Sequence, residues 1–346
     1  MNHTTIGLDL AKNVFHALAI GHKSNEIWRK KFTRKQLALH FSNCEPALIA
    51  MEACASSHYW ARLFKSMGHK VELLPPQHVK GYLRGQKNDY NDARAIAEAS
   101  QHGAIRNVPI KSVEQQDEQA FHRIRRQRVG ERTRLSNQIR GLLAEYGVVI
   151  TKGVINVRKA IPEILEDASN HLSAKFRELL AQQYQHLLAL EKELEQFDKQ
   201  LKRQAEVDPV CQRLIEVPAF GPVVSSAVKN WMGNGKQFKN GREASAALGV
   251  VPRQFTSGDK PRLSGITKRG DQYVRAQVIH GARAVAIHAK KKDDPLSLWI
   301  SQLIERRGFN KAVVALANKL IRIAWVIIAR NERYRPLMKT QCNNET

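Results

Sequence analysis

Residues 4–12 read TTIGLDLAK, and this stretch decides the fold of the N-terminal part of the chain. It is an apolar strand with one acid, Asp9, set inside it. An ionised carboxylate in such surroundings is costly unless it is paired or bound to a metal. After a tight connection come VFHALAI (14–20) and EIWRKKFT (26–33), and three short strands at this spacing predict an antiparallel meander. RKQLALHFSN (34–43) is helix-like, and PALIAMEA (46–53) reads as a buried strand. SSHYWARLFKSMG (56–68) is an amphipathic helix opened by Ser56 or Ser57 and closed by Gly68. HKVELLPP (69–76) is a further strand, and NDARAIAEASQHG (91–103) a further helix. The order predicts an α/β unit with a mixed sheet.

Four acids fall at informative places in that order. Asp9 lies in TIGLDLA, Glu52 ends the strand in LIAMEA, and Asp89 and Asp92 lie in KNDYNDARA. The last two are three apart, so they share a face if the helix starts near Asn88. Taken singly, each has a plainer reading as a turn or cap residue, and Asp at a helix start is most often an N-cap. Taken together, acids from two strands and a helix can converge on one sheet edge. Hard divalent cations want such oxygen ligands, and Mg²⁺ needs only a few because it keeps water and substrate phosphate. Two metals roughly 3.5–4 Å apart suit phosphoryl transfer.

Charge narrows the partner. Across 346 residues, Lys plus Arg number 56 against 32 Asp plus Glu, a formal net charge of +24, which favours a polyanion. Nucleic acid is the first choice and an anionic membrane surface the second. A hydrophobic fraction of 42% supports sizeable cores. No apolar run approaches the roughly 20 residues of a membrane span, and the N-terminus enters a strand without a signal peptide. Cys44, Cys54, Cys211 and Cys342 suggest neither a disulfide framework nor a zinc site, and a reducing cytoplasm is expected.

The remainder is mostly helical. Val113 to about Tyr146 is dense in arginine: FHRIRRQRVGERTRLSNQIR (121–140) carries Arg123, Arg125, Arg126, Arg128, Arg132, Arg134 and Arg140. Such a helix suits phosphate contact on RNA or DNA, or else presents a solvated basic face. Between His171 and Val207, Leu180, Leu187, Leu190, Leu194, Phe197 and Leu201 form a seam. It reads either as a coiled coil of about three heptads or as a helical hairpin packed on its own chain. RLIEVPAFGPVVSSAV (213–228) looks like a helix-hairpin-helix, with Ala219 where a first glycine is usual and Gly221 in the second position. Its turn would aim backbone N–H groups at a phosphate. LGVVPRQFTSGDKPRLSGITKRG (248–270) sets Ser257-Gly258 and Ser264-Gly265 among Arg253, Lys260, Arg262, Lys268 and Arg269. By itself this is a flexible phosphate-contacting loop more often than a nucleophile. Residues 272–291, 296–307 and 311–330 read as three helices.

GLDLAK, MEACASSHYWAR and KNDYNDARAIAEA resemble the DEDD-type insertion-sequence transposases, which include Piv-like DNA invertases. The resemblance implies an RNase H-like, RuvC-like N-terminal domain with Asp9, Glu52, Asp89 and Asp92 as ligands of Mg²⁺ or Mn²⁺. Lys12 and Lys87 also match. LIEVPAFGP, GVVPRQFTSG and GITKRGDQYVR are similar to the C-terminal domain of the same family. Its Pro-x-x-x-x-Ser-Gly pattern falls on Pro252 to Gly258 and implies Ser257 as the recombination nucleophile, with Ser264 as the fallback. The family also implies a structured guide RNA pairing with donor and target DNA, and a homo-dimer or homo-tetramer. The expected organisation is 1–146 for the catalytic domain with its basic helix, 147–206 for a helical or coiled-coil connector, and 207–346 for a mostly α serine-bearing domain. Two rival functions stand beside this: a metal-only nuclease of the Holliday-junction resolvase kind, and a non-catalytic nucleic-acid-binding protein.

Overall fold

A computed structural model of the chain describes residues 4–21, 24–86, 88–103, 105–257 and 260–336. It divides into two compact units, Met1–Gln116 and Asp117–Thr346. The first holds β1 (Thr5–Asp9), β2 (Val14–Ile20), β3 (Glu26–Thr33), α1 (Arg34–Ser42), β4 (Leu48–Glu52), α2 (Ser57–Ser66), β5 (Lys70–Leu74), the short α3 (Pro76–Val79) and α4 (Asp89–Gln101). The sheet runs β3-β2-β1-β4-β5. β1, β2 and β3 pair antiparallel, as the meander predicts, while β1, β4 and β5 pair parallel.

Alternation along the strands sorts side chains between two layers. Ile6, Leu8, Phe15, Ala17, Ile49 and Met51 join Trp60 and Phe64 in one core. The intervening residues face α4, where Leu18 and Ile20 pack with Ala93 and Ala97, and Ala50 with Ala95 and Ile96. Gly7 makes that layer close. A Cβ there would stand 2.0 Å from the Ala93 carbonyl oxygen and 2.7 Å from the Ala97 nitrogen. The same alternation puts Asp9, His16 and Glu52 on the α4 side.

The second unit takes in most of α5 (Val113–Ala144), then α6 (Val154–Glu166) and α7 (Ala174–Val207). α5 and α7 run antiparallel: Phe121 meets Phe197 at 4.9 Å between ring centroids, and Tyr146 stacks on Phe176 at 4.3 Å. Leu135, Ile139 and Leu143 of α5 bury with Leu180, Leu187 and Leu190 of α7. The first half of the seam thus packs on its own chain, where α5 supplies a matching apolar stripe at four-residue spacing.

Then follow α8 (Pro209–Ile215), α9 (Pro222–Met232), α10 (Gly241–Leu248), the antiparallel pair β6 (Pro252–Ser257) and β7 (Lys260–Ile266), α11 (Gln272–His288), α12 (Pro295–Arg307) and α13 (Phe309–Ala329). The expected loop at 248–270 is therefore largely a β-hairpin. Its base is fixed by glycines: a Cβ on Gly249 would stand 2.3 Å from the Arg269 oxygen, and one on Gly270 2.0 Å from the Ala247 oxygen. α13 corrects the reading that no apolar run reaches membrane-span length. With 21 residues it is long and apolar enough by length and composition. Lys311, Lys319 and Arg322 interrupt the run in sequence, while Val313, Leu316, Leu320, Ala324 and Ile327 are buried in the core shared with α9, α10 and α11.

Candidate metal centre and nucleic-acid surfaces

The parallel register pairs Leu8 with Met51, so Asp9 and Glu52 end neighbouring strands at the same sheet edge. The carboxyl ends of parallel strands are where open α/β sheets place their sites. α4 begins at this edge. Its N-cap is Asn88, whose side-chain oxygen accepts from the Tyr90 N–H at 2.9 Å. With Asn88 capping, Asp89 and Asp92 stand in the first turn without that duty, where the helix dipole favours negative charge. Glu52 is no cap either, since the N-cap of α2 is Ser56.

His16 joins this group, and the sequence reading missed it. It lies opposite Asp9 in the β1–β2 register and is buried. Its Nδ1 is 3.3 Å from Asp89 Oδ2, and its ring meets that of Tyr90 edge-on at 4.8 Å. Ligand atoms of Asp9, His16 and Asp89 all lie within 4.8 Å of one another. The signal was available in principle: a four-residue connection between β1 and β2 places residue 16 across from residue 9.

Electrostatics ties the other two acids to the same place. Burial first, and then Asp92, Asp89 and Glu52, together push the Asp9 carboxyl up to about 6. Burial and then Asp92 raise Glu52, with Lys80 opposing them. The neighbouring side chains that shift Asp9 (Asp92, Asp89 and Glu52) all carry negative charge. An uncompensated, half-buried carboxylate ringed by carboxylates calls for a cation. The donor set is mostly oxygen, which fits Mg²⁺ or Mn²⁺.

The residues expected to meet nucleic acid are spread over several elements. Lys12 is exposed in the β1–β2 connection, and Lys87 lies outside the described residues. On α5, Arg123 and Arg126 are exposed, and Arg126 sits 5.9 Å from the Tyr273 ring centroid. Arg125 is held by Asp198 at 2.7 Å, and Arg128 by Glu193 at 2.9 Å and Glu131 at 2.8 Å. Both bind carboxylates of their own chain, whereas Arg132 is half-buried. Gly221 is the N-cap of α9. The residue before the turn's Phe220, Ala219, has φ of +81°, the conformation that explains why glycine is usual there.

On the β6–β7 hairpin Arg253 and Arg262 are exposed, as are the apolar side chains of Phe255 and Leu263, 60% and 67% exposed. Lys268 and Arg269 are exposed at its base. Ser257 ends β6 and pairs with Lys260, but their side chains, and Gly258, lie outside the described residues. Ser264 is exposed on β7. Arg275 is a structural cation: buried, it donates to the carbonyls of Leu248 (3.1 Å) and Arg269 (2.7 Å).

Comparison with known proteins adds independent findings. A DEDD family model described as transposase matches residues 6–148, and the model of the IS116/IS110/IS902 transposase family matches residues 211–295. The chain is 42% identical over 337 residues to a Pseudomonas aeruginosa protein named "probable family 20 transposase", covering 97% of this chain and all of that one. It is 41% identical over 330 residues to the transposase for insertion sequence element IS1111A of Coxiella burnetii, covering 95% and 91%. It is 24% identical over 362 aligned positions to a pilin gene-inverting protein of Moraxella bovis, covering 96% and 98%.

Proposed function

Because the chain belongs to the IS116/IS110/IS902 family of transposases, we propose that it excises and inserts an insertion sequence by breaking and rejoining DNA strands at a metal centre and a serine. The observation that carries this is the gathering of Asp9, His16 and Asp89 within 4.8 Å, with Glu52 and Asp92 acting electrostatically on the same carboxylate. The mixed sheet with its acids on β1, β4 and α4 supports the RuvC-like reading of the first unit. Asp9, Glu52, Asp89 and Asp92 would hold Mg²⁺ or Mn²⁺, with His16 as a further ligand or as the group that orients Asp89. A divalent cation there supplies charge stabilisation to a phosphoryl group in transfer.

Ser257 is the nucleophile in this reading. Its hydroxyl displaces a sugar oxygen from a phosphodiester, a base takes its proton, and the phosphoserine conserves the bond for rejoining. Exposed Phe255, Leu263, Arg253 and Arg262 suit a two-stranded ribbon presented to nucleic acid, since a duplex major groove admits such a ribbon. Gly221, Lys12, Lys260, Lys268 and Arg269 serve phosphate contact. The exposed cations of α5 serve a guide RNA, which the family resemblance implies, and the working form is a homo-dimer or homo-tetramer in the cytoplasm.

The test is trapping of a covalent protein–DNA adduct on element-end DNA with Mg²⁺. Wild type yields the adduct, whereas Ser257→Ala yields none and retains DNA binding. If Ser257→Ala still recombines and Ser264→Ala does not, the nucleophile is the second serine. Cleavage without any adduct in wild type makes the protein a metal-only nuclease.

A further inference from the structure

A cavity of about 790 Å³ lies in the second unit, walled by α10, α12, α13 and residues 332–335. Most of its wall lies beyond residue 295, where the C-terminal family match ends. Three aromatic residues line it, Trp299, Trp325 and Tyr334. The Trp325 ring is fixed by its Nε1–H, which donates to the Gly235 carbonyl at 3.0 Å. Lys319 Nζ lies 4.6 Å from the Trp299 ring centroid.

The charge on this wall is strongly unbalanced. Arg242, Lys319, Arg322, Arg333 and Arg335 line it against one carboxylate, Glu332. Arg333 is bound to Glu216 at 3.7 Å. Among the described residues, Arg242, Lys319 and Arg322 make no ion pair. Gly241 allows this crowding: a Cβ on it would stand 2.9 Å from the Cα of Arg322, so the first turn of α10 lies directly on α13. Burial and then Arg322 hold the Lys319 amine below its ordinary range, a cost that a bound anion would relieve.

Aromatic rings beside unpaired cations recognise a flat base joined to a phosphate. Stacking on the ring is sequence-tolerant, and the guanidinium or ammonium group takes the anion. The volume falls in the range of small-ligand cavities, roughly 300–1,000 Å³, which a nucleotide fits and a base pair within a duplex cannot enter. We infer that this cavity holds one unpaired nucleotide of a single-stranded nucleic acid, its base among Trp299 and Tyr334 and its phosphate on Arg242, Lys319 and Arg322. The inference rests on the family's action on nucleic acid, and it uses neither the carboxylates nor Ser257.

The experiment measures binding of the full chain to labelled single-stranded decamers of RNA and of DNA, and to a DNA duplex. Trp299→Ala and Arg322→Ser each weaken single-strand binding by about tenfold or more, the scale of one lost base–aromatic stack, while duplex binding stays unchanged. Trp299→Phe restores most of the affinity. Arg322 is exposed, so its variant folds even if the tryptophan variant does not. Photocrosslinking of a 4-thiouridine decamer yields adducts on peptides of α12 and α13. A ribose preference assigns the site to RNA, and equal affinity assigns it to either strand. Unchanged affinity in Arg322→Ser, crosslinks confined to other elements, or competition by uridine monophosphate as strong as by the decamer would overturn the inference. Asp9→Asn retains single-strand binding, so failure of the metal-centre reading leaves this one standing.

Discussion

Asp9 is ionised at neutral pH against burial and three neighbouring carboxylates, and this sets the pH behaviour of the metal-free protein. Its carboxyl titrates near pH 6 in the folded chain and in the ordinary aspartate range when unfolded. Between those values the folded state holds a proton that the unfolded state has released. The stability contribution is therefore full in acid and lost as pH rises through about 6. Asp9→Asn is expected to raise the melting temperature of metal-free protein at pH 7.5, to raise it by less at pH 4.5, where only part of the loss has set in, and to abolish Mg²⁺-dependent cleavage. Calorimetry at the two pH values checks the first part, and protons should compete with Mn²⁺ below pH 6. Ala219 is a second strained position, because a left-handed backbone costs an L-residue roughly 1–2 kcal/mol. After glycine's own entropy loss, Ala219→Gly should stabilise the chain by up to about 1 kcal/mol in thermal melts. The acids at strand ends and at the helix start were legible because an acid in an apolar run is conspicuous. His16 was not, because its role comes from cross-strand register rather than from its neighbours in sequence.

At the scale of elements, the contact of α4 with β1 positions the site, and Gly7 controls that contact. Gly7→Ala should cost about 1–3 kcal/mol, the usual penalty of overpacking, and should weaken Mn²⁺ binding because α4 carries Asp89 and Asp92. Urea denaturation and calorimetric titration measure the two effects. On α5 the arginines divide by partner. Replacing Arg123 and Arg126 with alanine should lower the log–log salt slope of nucleic-acid binding by about one to two units, at roughly 0.9 per phosphate contact. Replacing Arg125 and Arg128, which bind carboxylates of their own chain, should lower stability and leave the slope nearly unchanged. A slope unmoved by the first pair would mean that α5 meets no phosphate. The strands and helices of the first unit were readable from alternation and capping. α6 was not, since Pro162 sits inside it, nor was α10, which is eight residues long and opens on glycine.

For the whole molecule, the excess of 24 positive charges pointed to a polyanion before any fold was known. Which cations are available for that partner is a tertiary property. Arg275 is consumed in holding carbonyls, and Arg242, Lys319 and Arg322 look unremarkable in sequence yet line one cavity. α13 shows the same limit from the apolar side. Its cations break the run that a linear reading looks for, while its buried stripe forms part of the core.

The glycines at the foot of the β6–β7 hairpin have a further consequence. Backbone meets backbone there too closely for any side chain at 249 or 270, whereas above them residues 252–256 and 262–264 are exposed. The seat and the blade are thus separate commodities. The hairpin between residues 253 and 265 is therefore expected to be exchangeable as a cassette, which thermal melts of such a chimera would check. Transplanting the tip of one relative onto this frame should carry that relative's DNA preference with it, and a change at either glycine should unseat the blade whatever its sequence.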